Sequence, residues 1–323
     1  MITRSIGDIT SSAIGLGCMG MTFGYGRVDP GEARATLETA LDSGVTHFDT
    51  AESYGTGRNE TFIGTTLQRR RDEVIIATKT GVRSLRGIPL GLDGRPDTIR
   101  KALEGSLKRL GVDHVDIYYL HRVDPKVPVE ESIGAIGDLA DRGLVRHIGI
   151  SECTVDQLRR AATTRRVSAL QIEWSLFSRV HETTLIPAAR ELGIGIVPFS
   201  PLGRGFLTGD PASTTRIGLV DFRRIVPRWH KQNLATNLQQ LEAVRMVAQR
   251  HDVTPGQVAL AWLLSRGDDV VPIPGTKKRR WLAENIGATE VALTEADLTD
   301  LDRIRPAGQR MPNGRVFLPD GEV

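Results

Sequence analysis

The side chains of this chain most able to do chemistry are Asp49, Tyr54, Lys79 and His121, with Ser151, Glu152, Gln171, Glu173 and Ser200 after them. Each stands at, or just beyond, the carboxyl end of a short apolar run rich in β-forming residues. Asp49 closes one run and is followed by Thr50-Ala51-Glu52-Ser53-Tyr54; Lys79 closes the next, and His121 follows the one after that. Ser151-Glu152, then Gln171 with Glu173 and Trp174, then Ser200-Pro201-Leu202-Gly203 mark the ends of three more. If these runs lie side by side, a carboxylate, a phenol, an ammonium and an imidazole meet on one rim. That set can move a proton to or from a reacting oxygen.

The elements that must position them are eight strand candidates near Ile14 to Cys18, Thr46 to Asp49, Val74 to Lys79, Asp116 to Leu120, Ile148 to Ser151, Leu170 to Glu173, Ile196 to Ser200 and Val270 to Ile273. Helical stretches alternate with them, the signature of βα units around a parallel sheet. Asp29-Pro30-Gly31-Glu32 supplies an N-cap, a first-turn proline and an acidic third position ahead of Ala33, Leu37, Ala40 and Leu41, with Gly44 behind them. Thr154 with Gln157, and Thr254-Pro255-Gly256-Gln257, open helices in the same manner, and a stripe of Leu103, Leu107 and Leu110 stops at Gly111. Eight such units predict an α/β fold of the (β/α)8 TIM barrel type, a single domain over residues 1–323 with its active site at the carboxyl ends of the strands. A barrel needs about 250 residues, so roughly 70 remain for additions. Met1 to Thr10 reads as an N-terminal hairpin, Thr80 to Arg95 and Gly205 to Thr236 as long irregular connections on the site face, and Ala307 to Val323 as a tail without helical period.

The rim residues also carry a family likeness. Asp49 with Tyr54, Lys79 in Ala77-Thr78-Lys79, and His121 after Asp116-Ile117-Tyr118-Tyr119-Leu120 resemble the catalytic tetrad of the aldo-keto reductases. The segments Gly143 to Ser151, Gln171 to Leu176, Ser200 to Gly205 and Ile273 to Thr276 resemble family segments in family order, so the likeness spans about residues 1 to 305. It implies reduction of an aldehyde or ketone to an alcohol, with NADPH oxidised to NADP+. Hydride addition leaves an alkoxide to be protonated, and a phenol of free pKa ~10 is a reluctant donor at neutral pH. Lys79 is expected to lower the Tyr54 pKa, Asp49 to hold Lys79 and compensate its burial, and His121 to orient the substrate oxygen. Taken singly, these residues read equally as a structural ion pair, a loop aromatic and a rim histidine; together, on three consecutive strands, they favour chemistry.

On the cofactor side the resemblance implies that Gly17 and Met19 approach the nicotinamide, that it stacks on Trp174, and that its carboxamide meets Ser151 and Gln171. The pyrophosphate would lie along Ser200, Leu202, Gly203 and Gly205. The sequence has Trp174 where the family often has Tyr, and Glu152 where it often has Asn at a cofactor-amide position. Gly275-Thr276-Lys277-Lys278-Arg279-Arg280 leads into a helix bearing Glu284 and Asn285, a helix start suited to the 2′-phosphate of NADP, with Lys277 and Arg280 as its expected cations and Glu284 and Asn285 at adenine. Gly15-Leu16-Gly17-Cys18-Met19-Gly20 satisfies the GxGxxG pattern, yet Thr22 to Val28 intervenes before any helix, against a dinucleotide-binding Rossmann loop.

Composition excludes other classes. Lys plus Arg number 42 against 39 Asp plus Glu, a net charge of +3 spread along the chain, which does not suggest a nucleic-acid partner despite a pI near 9.0. Cys18 and Cys153 stand alone, which argues against a metal centre or disulfide framework and fits a reduced cytoplasmic setting. No apolar run approaches the ~20 residues of a membrane span, and Met1 to Thr10 lacks the layout of a signal peptide. The expected partner is a small carbonyl substrate, met by Phe23 and Tyr25, by the two long connections and by the tail around Arg310 and Phe317, with Tyr54 and His121 at the carbonyl. Few aromatics occur in those loops, which favours small or polar carbonyls. Two alternatives stand beside the reductase: a cofactor-binding regulatory barrel, as in channel subunits of the same family, and a phosphate-handling isomerase or aldolase with Lys79 as base or Schiff-base former.

Overall fold

The computed structural model describes residues 1–85, 88–210, 217–218 and 221–311. Strands β1 (Thr3–Ile6) and β2 (Ile9–Ser12) form the N-terminal hairpin. Seven further strands, β3 (Leu16–Gly17), β4 (His47–Asp49), β5 (Ile75–Thr80), β8 (Val115–Leu120), β9 (Val145–Ser151), β10 (Val167–Glu173) and β11 (Gly195–Phe199), make one parallel sheet in the order β11-β10-β9-β8-β5-β4-β3. Every residue of β8 and of β10 is buried, as expected of parallel strands covered on both faces.

The eighth expected strand closes the barrel in an irregular form. Val271 and Ile273 donate to the carbonyls of Ile196 and Pro198 on one side, and the carbonyls of Pro272 and Pro274 accept from Gly15 and Gly17 on the other. Pro272 and Pro274 have no N–H to give, so at these two positions the closing segment only accepts. The hairpin seals the opposite end: Ile6 and Ile9 pack on Ala77, Ile117, Tyr119, Ala169, Val197, Val271 and Ile273 inside the barrel. Gly195 is required there, because a Cβ would stand 2.4 Å from Ile6 Cα.

The covering helices are α1 (Pro30–Asp42), α2 (Arg58–Leu67), α3 (Pro96–Leu110), α4 (Val129–Asp141), α5 (Val155–Thr164), α6 (Leu185–Glu191), α7 (Lys231–His251), α8 (Pro255–Leu264), α9 (Arg279–Gly287) and α10 (Glu295–Leu301). The expected punctuation is present: Asp29 caps α1, Thr154–Gln157 and Thr254–Gln257 are reciprocal capping boxes, and Gly111 ends α3 in the left-handed conformation. Among the described residues no helix is long and apolar enough to cross a membrane.

Two connections are more regular than their sequence implies. Residues 80–95 contain a hairpin, β6 (Val82–Leu85) paired with β7 (Ile88–Leu92), tied to the site by Ser84 Oγ donating to the Ser53 carbonyl. The 205–236 connection holds short 3-10 turns at Gly203–Thr208, Phe222–Ile225 and Pro227–Trp229 and then the start of α7. Phe317 lies outside the described residues.

Candidate active site

Strand parity decides what reaches the rim. In β8, Ile117 and Tyr119 face the barrel interior and Tyr118 the outer helices, so His121 continues the inner row. By the same alternation Asp49 shares its side of β4 with His47, and Lys79 its side of β5 with Ala77. Tyr54 is brought over them by a turn in which its N–H bonds to the Ala51 carbonyl and Gly55 and Gly57 take φ of +61° and +81°.

The four residues meet. Lys79 Nζ donates to Asp49 Oδ1 at 2.5 Å, to the Thr50 carbonyl at 2.7 Å and to the Tyr54 hydroxyl at 3.4 Å. Gln171 Nε2 donates to the other Asp49 oxygen at 2.7 Å. His121 stands edge-on to Tyr54, ring centres 6.0 Å apart, with its Nδ1 buried and without a hydrogen-bond partner. Burial works against the Lys79 ammonium, but the Asp49 carboxylate and the Tyr54 hydroxyl together outweigh it, and the Lys79 pKa sits above the usual lysine value. Burial, together with the charges of Arg122 and Lys79, drives the His121 pKa well below the usual imidazole value, so this ring is neutral. For Tyr54, burial raises the pKa and Lys79 lowers it, with burial the larger effect. The lysine therefore moderates a rise rather than producing the net fall that the sequence suggests.

From Asp49 and Tyr54 a cleft runs outward between the ends of β3, β11 and the closing segment 270–275. Gly17, Met19, Ser200, Leu202, Gly205, Gly275, Thr276, Lys277, Glu284 and Asn285 all line it, as expected of a site for an extended ligand. Ser200, Gly203, Arg204 and Gly205 all have positive φ, and this strained turn forms one wall. Gly203 is buried behind that wall, and Glu284 accepts from Thr254 Oγ1 at 2.9 Å.

Other expected residues are placed elsewhere. Trp174 follows Leu170 and Ile172 in parity and joins the outer layer, 2% exposed, edge-on to Trp262 at 6.1 Å, its indole N–H bonded to Glu182. It does not line the cleft; the ring at a strand end that does is Phe199, which continues the inner row from Val197. Ser151 accepts from Arg122 Nη1 at 3.1 Å, and Gln171 is held on Asp49. Glu152, at φ +49°, accepts from the Glu173 N–H at 2.8 Å and from Arg310 Nη2 at 2.7 Å, so its carboxylate belongs to a buried ion cluster rather than to an amide subsite. The Lys277 ammonium spans to the carbonyls of Tyr25 and Arg27, and Arg280 lies over the Trp281 ring at 3.8 Å. Phe23 is outside the lining set, whereas Tyr25 is inside it.

The sequence reading missed Phe199, Arg204, Arg223, Lys278 and Trp281, all of which line the cleft. Parity within Val197 to Phe199 was available as a signal for the first; the others depend on loop conformation.

Known proteins set this geometry in context. The model of the aldo/keto reductase family matches residues 13–306. An aldo-keto reductase of Schizosaccharomyces pombe, whose name specifies NADP(+), is 42% identical over 98% of this chain and 97% of its own length. A probable aldo-keto reductase of Glycine max is 43% identical over 95% of this chain and 88% of its own. Among solved structures, a glycerol dehydrogenase from Gluconobacter oxydans superposes with a TM-score of 0.85 at 27% identity, covering 98% of this chain and 99% of that one. A barrel of this order, a rim carrying Asp49, Tyr54, Lys79 and His121, and a family match over residues 13–306 lead to one assignment: the chain belongs to the aldo/keto reductase family.

Proposed function

We propose that the protein reduces aldehydes or ketones to alcohols with NADPH, Tyr54 supplying the proton. The observation that carries this reading is the double contact of the Lys79 ammonium, on Asp49 at 2.5 Å and on the Tyr54 hydroxyl at 3.4 Å. The cleft suits the cofactor. Phe199 offers a flat ring beside Tyr54, the Ser200–Gly205 wall carries Arg204, and Lys278 stands at the start of α9, whose N-cap has no side-chain bond. Glu284 and Asn285 would face the adenosine. The NADP(+) in the name of the Schizosaccharomyces pombe relative supports the same choice.

When bound, NADPH supplies the hydride to the carbonyl carbon. The chain's own residues handle the oxygen. A neutral His121 whose Nδ1 is buried without a partner has Nε2 to donate to the carbonyl and orient it. Tyr54 then protonates the developing alkoxide, and the phenolate left behind is stabilised by Lys79. Asp49 and Gln171 fix the ammonium in place. A Schiff-base role for Lys79 is disfavoured, since that chemistry requires a neutral amine and Asp49 holds this one charged.

The test is loss of reduced cofactor with a panel of aldehydes and ketones, wild type beside Tyr54→Phe. Turnover that depends on Tyr54 supports the reading. NADPH binding without turnover on any substrate would favour a regulatory barrel, and absence of NADPH binding would refute the cofactor assignment.

A further inference from the structure

The last described residues of the chain, 307–311, are bonded to the wall of the cleft without lining it. Asn237 of α7 holds Ala307 by a reciprocal pair of hydrogen bonds, its Nδ2 donating to the Ala307 carbonyl at 3.0 Å and its Oδ1 accepting from the Ala307 N–H at 2.7 Å. Arg228 Nε donates to the Gly308 carbonyl at 3.3 Å. Arg310 then enters the ion cluster at the ends of β9 and β10, where its Nη2 donates to Glu152 at 2.7 Å and its Nη1 lies 3.7 Å from Glu173. Arg204 reaches the same point from the cleft wall, donating to the Arg310 carbonyl at 2.5 Å and to Glu173 at 2.7 Å. All four of these charged side chains are buried.

The wall needs such a tie. Gly203, Arg204 and Gly205 take φ of +55°, +57° and +94° in succession. A residue with a Cβ is disfavoured in that conformation and persists there only where its surroundings over-determine it. Of the three, only Arg204 has a side chain, and its guanidinium ties the turn to Glu173 and to the tail. Arg310 in turn fixes the tail, since its side chain is anchored on Glu152 while its carbonyl receives Arg204.

The geometry points to Arg310 as a positioning residue for the cofactor: through Arg204 it fixes the Ser200–Gly205 wall on which the pyrophosphate of NADPH would lie, without lining the cleft itself. This inference rests on the NADPH reading given above.

The test measures NADPH dissociation constants by fluorescence titration in wild type, Arg310→Met and Arg310→Lys, beside their urea midpoints. In Arg310→Met the constant is expected to rise about tenfold, in the range of coupling between linked sites, with the change in turnover carried by the KM for NADPH rather than by kcat. Arg310→Lys should recover part of the loss. Removing one member of a buried ion pair also destabilises the fold, so a double variant, Arg310→Met with Glu152→Gln, separates the two effects by removing both charges. Its urea midpoint should return towards that of the wild type while NADPH remains weakly bound. Coupling is reciprocal, so in the wild type NADPH should also slow amide hydrogen exchange in residues 307–311. Wild-type affinity in Arg310→Met, a double variant that regains affinity together with stability, or exchange in 307–311 that NADPH leaves unchanged overturns the inference while the cofactor reading stands. A wild type that does not bind NADPH removes the cofactor reading and this inference with it.

Discussion

The ammonium of Lys79 lies 3.4 Å from the Tyr54 hydroxyl and 5.0 Å from the centre of its ring, so one buried cation faces the proton-carrying oxygen from below. Its influence lowers a tyrosine pKa that burial raises. In Lys79→Met that opposition is gone, and burial and the Asp49 charge are left to raise the pKa against the smaller effect of Arg122. For alcohol oxidation, which needs the phenolate, the rising limb of the pH–rate profile should move to higher pH, and kcat should fall by about 10²–10⁴. An unmoved limb would show that Lys79 does not act on Tyr54.

The same ion pair sets a stability prediction. Lys79 and Asp49 side chains are 0% and 4% exposed, so removing either alone leaves a buried charge without its counter-ion, at a cost of ~3–5 kcal/mol. Asp49→Asn and Lys79→Met should each lower the urea midpoint, and the double variant should recover most of the loss while remaining inactive. A double variant as unstable as the sum of the two would contradict the pairing.

Two aromatic residues can be told apart by binding. Phe199→Ala should weaken NADPH by roughly tenfold, since a ring stacked on a planar ligand contributes about 0.5–1.5 kcal/mol beyond its buried area. Trp174→Phe should leave cofactor affinity unchanged and lower thermal stability, because that indole bonds Glu182 and packs on Trp262. The reverse pattern would return the stacking role to Trp174.

This pair also shows what the sequence could and could not convey. Asp49, Lys79 and His121 were legible because each lies at, or within one residue of, the carboxyl end of a strand, and in a parallel barrel strand ends converge whatever the loops do. Helix starts at Asp29, Thr154 and Thr254 were legible because capping is local chemistry. Trp174 and Phe199 both stand at strand ends and look equivalent by position; only the two-residue parity of each strand separates the outer ring from the inner one. The β6–β7 hairpin was hidden by Pro89 and Gly91, residues that read as loop. Glu152 meets Arg310 across 158 positions, and no local pattern announces a contact of that range.

His47 supplies a pH prediction away from the chemistry. It is fully buried, neither ring nitrogen has a hydrogen-bond partner, and burial lowers its pKa from 6.5 to about 4. Below pH 6.5 the unfolded chain takes up a proton that the folded chain refuses, so stability is complete above about 6.5 and declines as pH falls towards 4. The shift corresponds to about 3 kcal/mol at the acid end. Denaturation midpoints measured between pH 7 and pH 4 should fall less steeply in His47→Gln than in the wild type; equal slopes would mean that His47 is protonated in the fold.

The most direct test of the central claim is a single-turnover experiment in which enzyme preloaded with NADPH is mixed with an aldehyde and loss of the reduced cofactor is followed in wild type and Tyr54→Phe. The account predicts equal NADPH binding, rapid oxidation in the wild type, and a rate lower by about 10²–10⁴ in the variant, the share a positioned proton donor supplies. Oxidation at the wild-type rate in Tyr54→Phe would contradict Tyr54 as the proton donor.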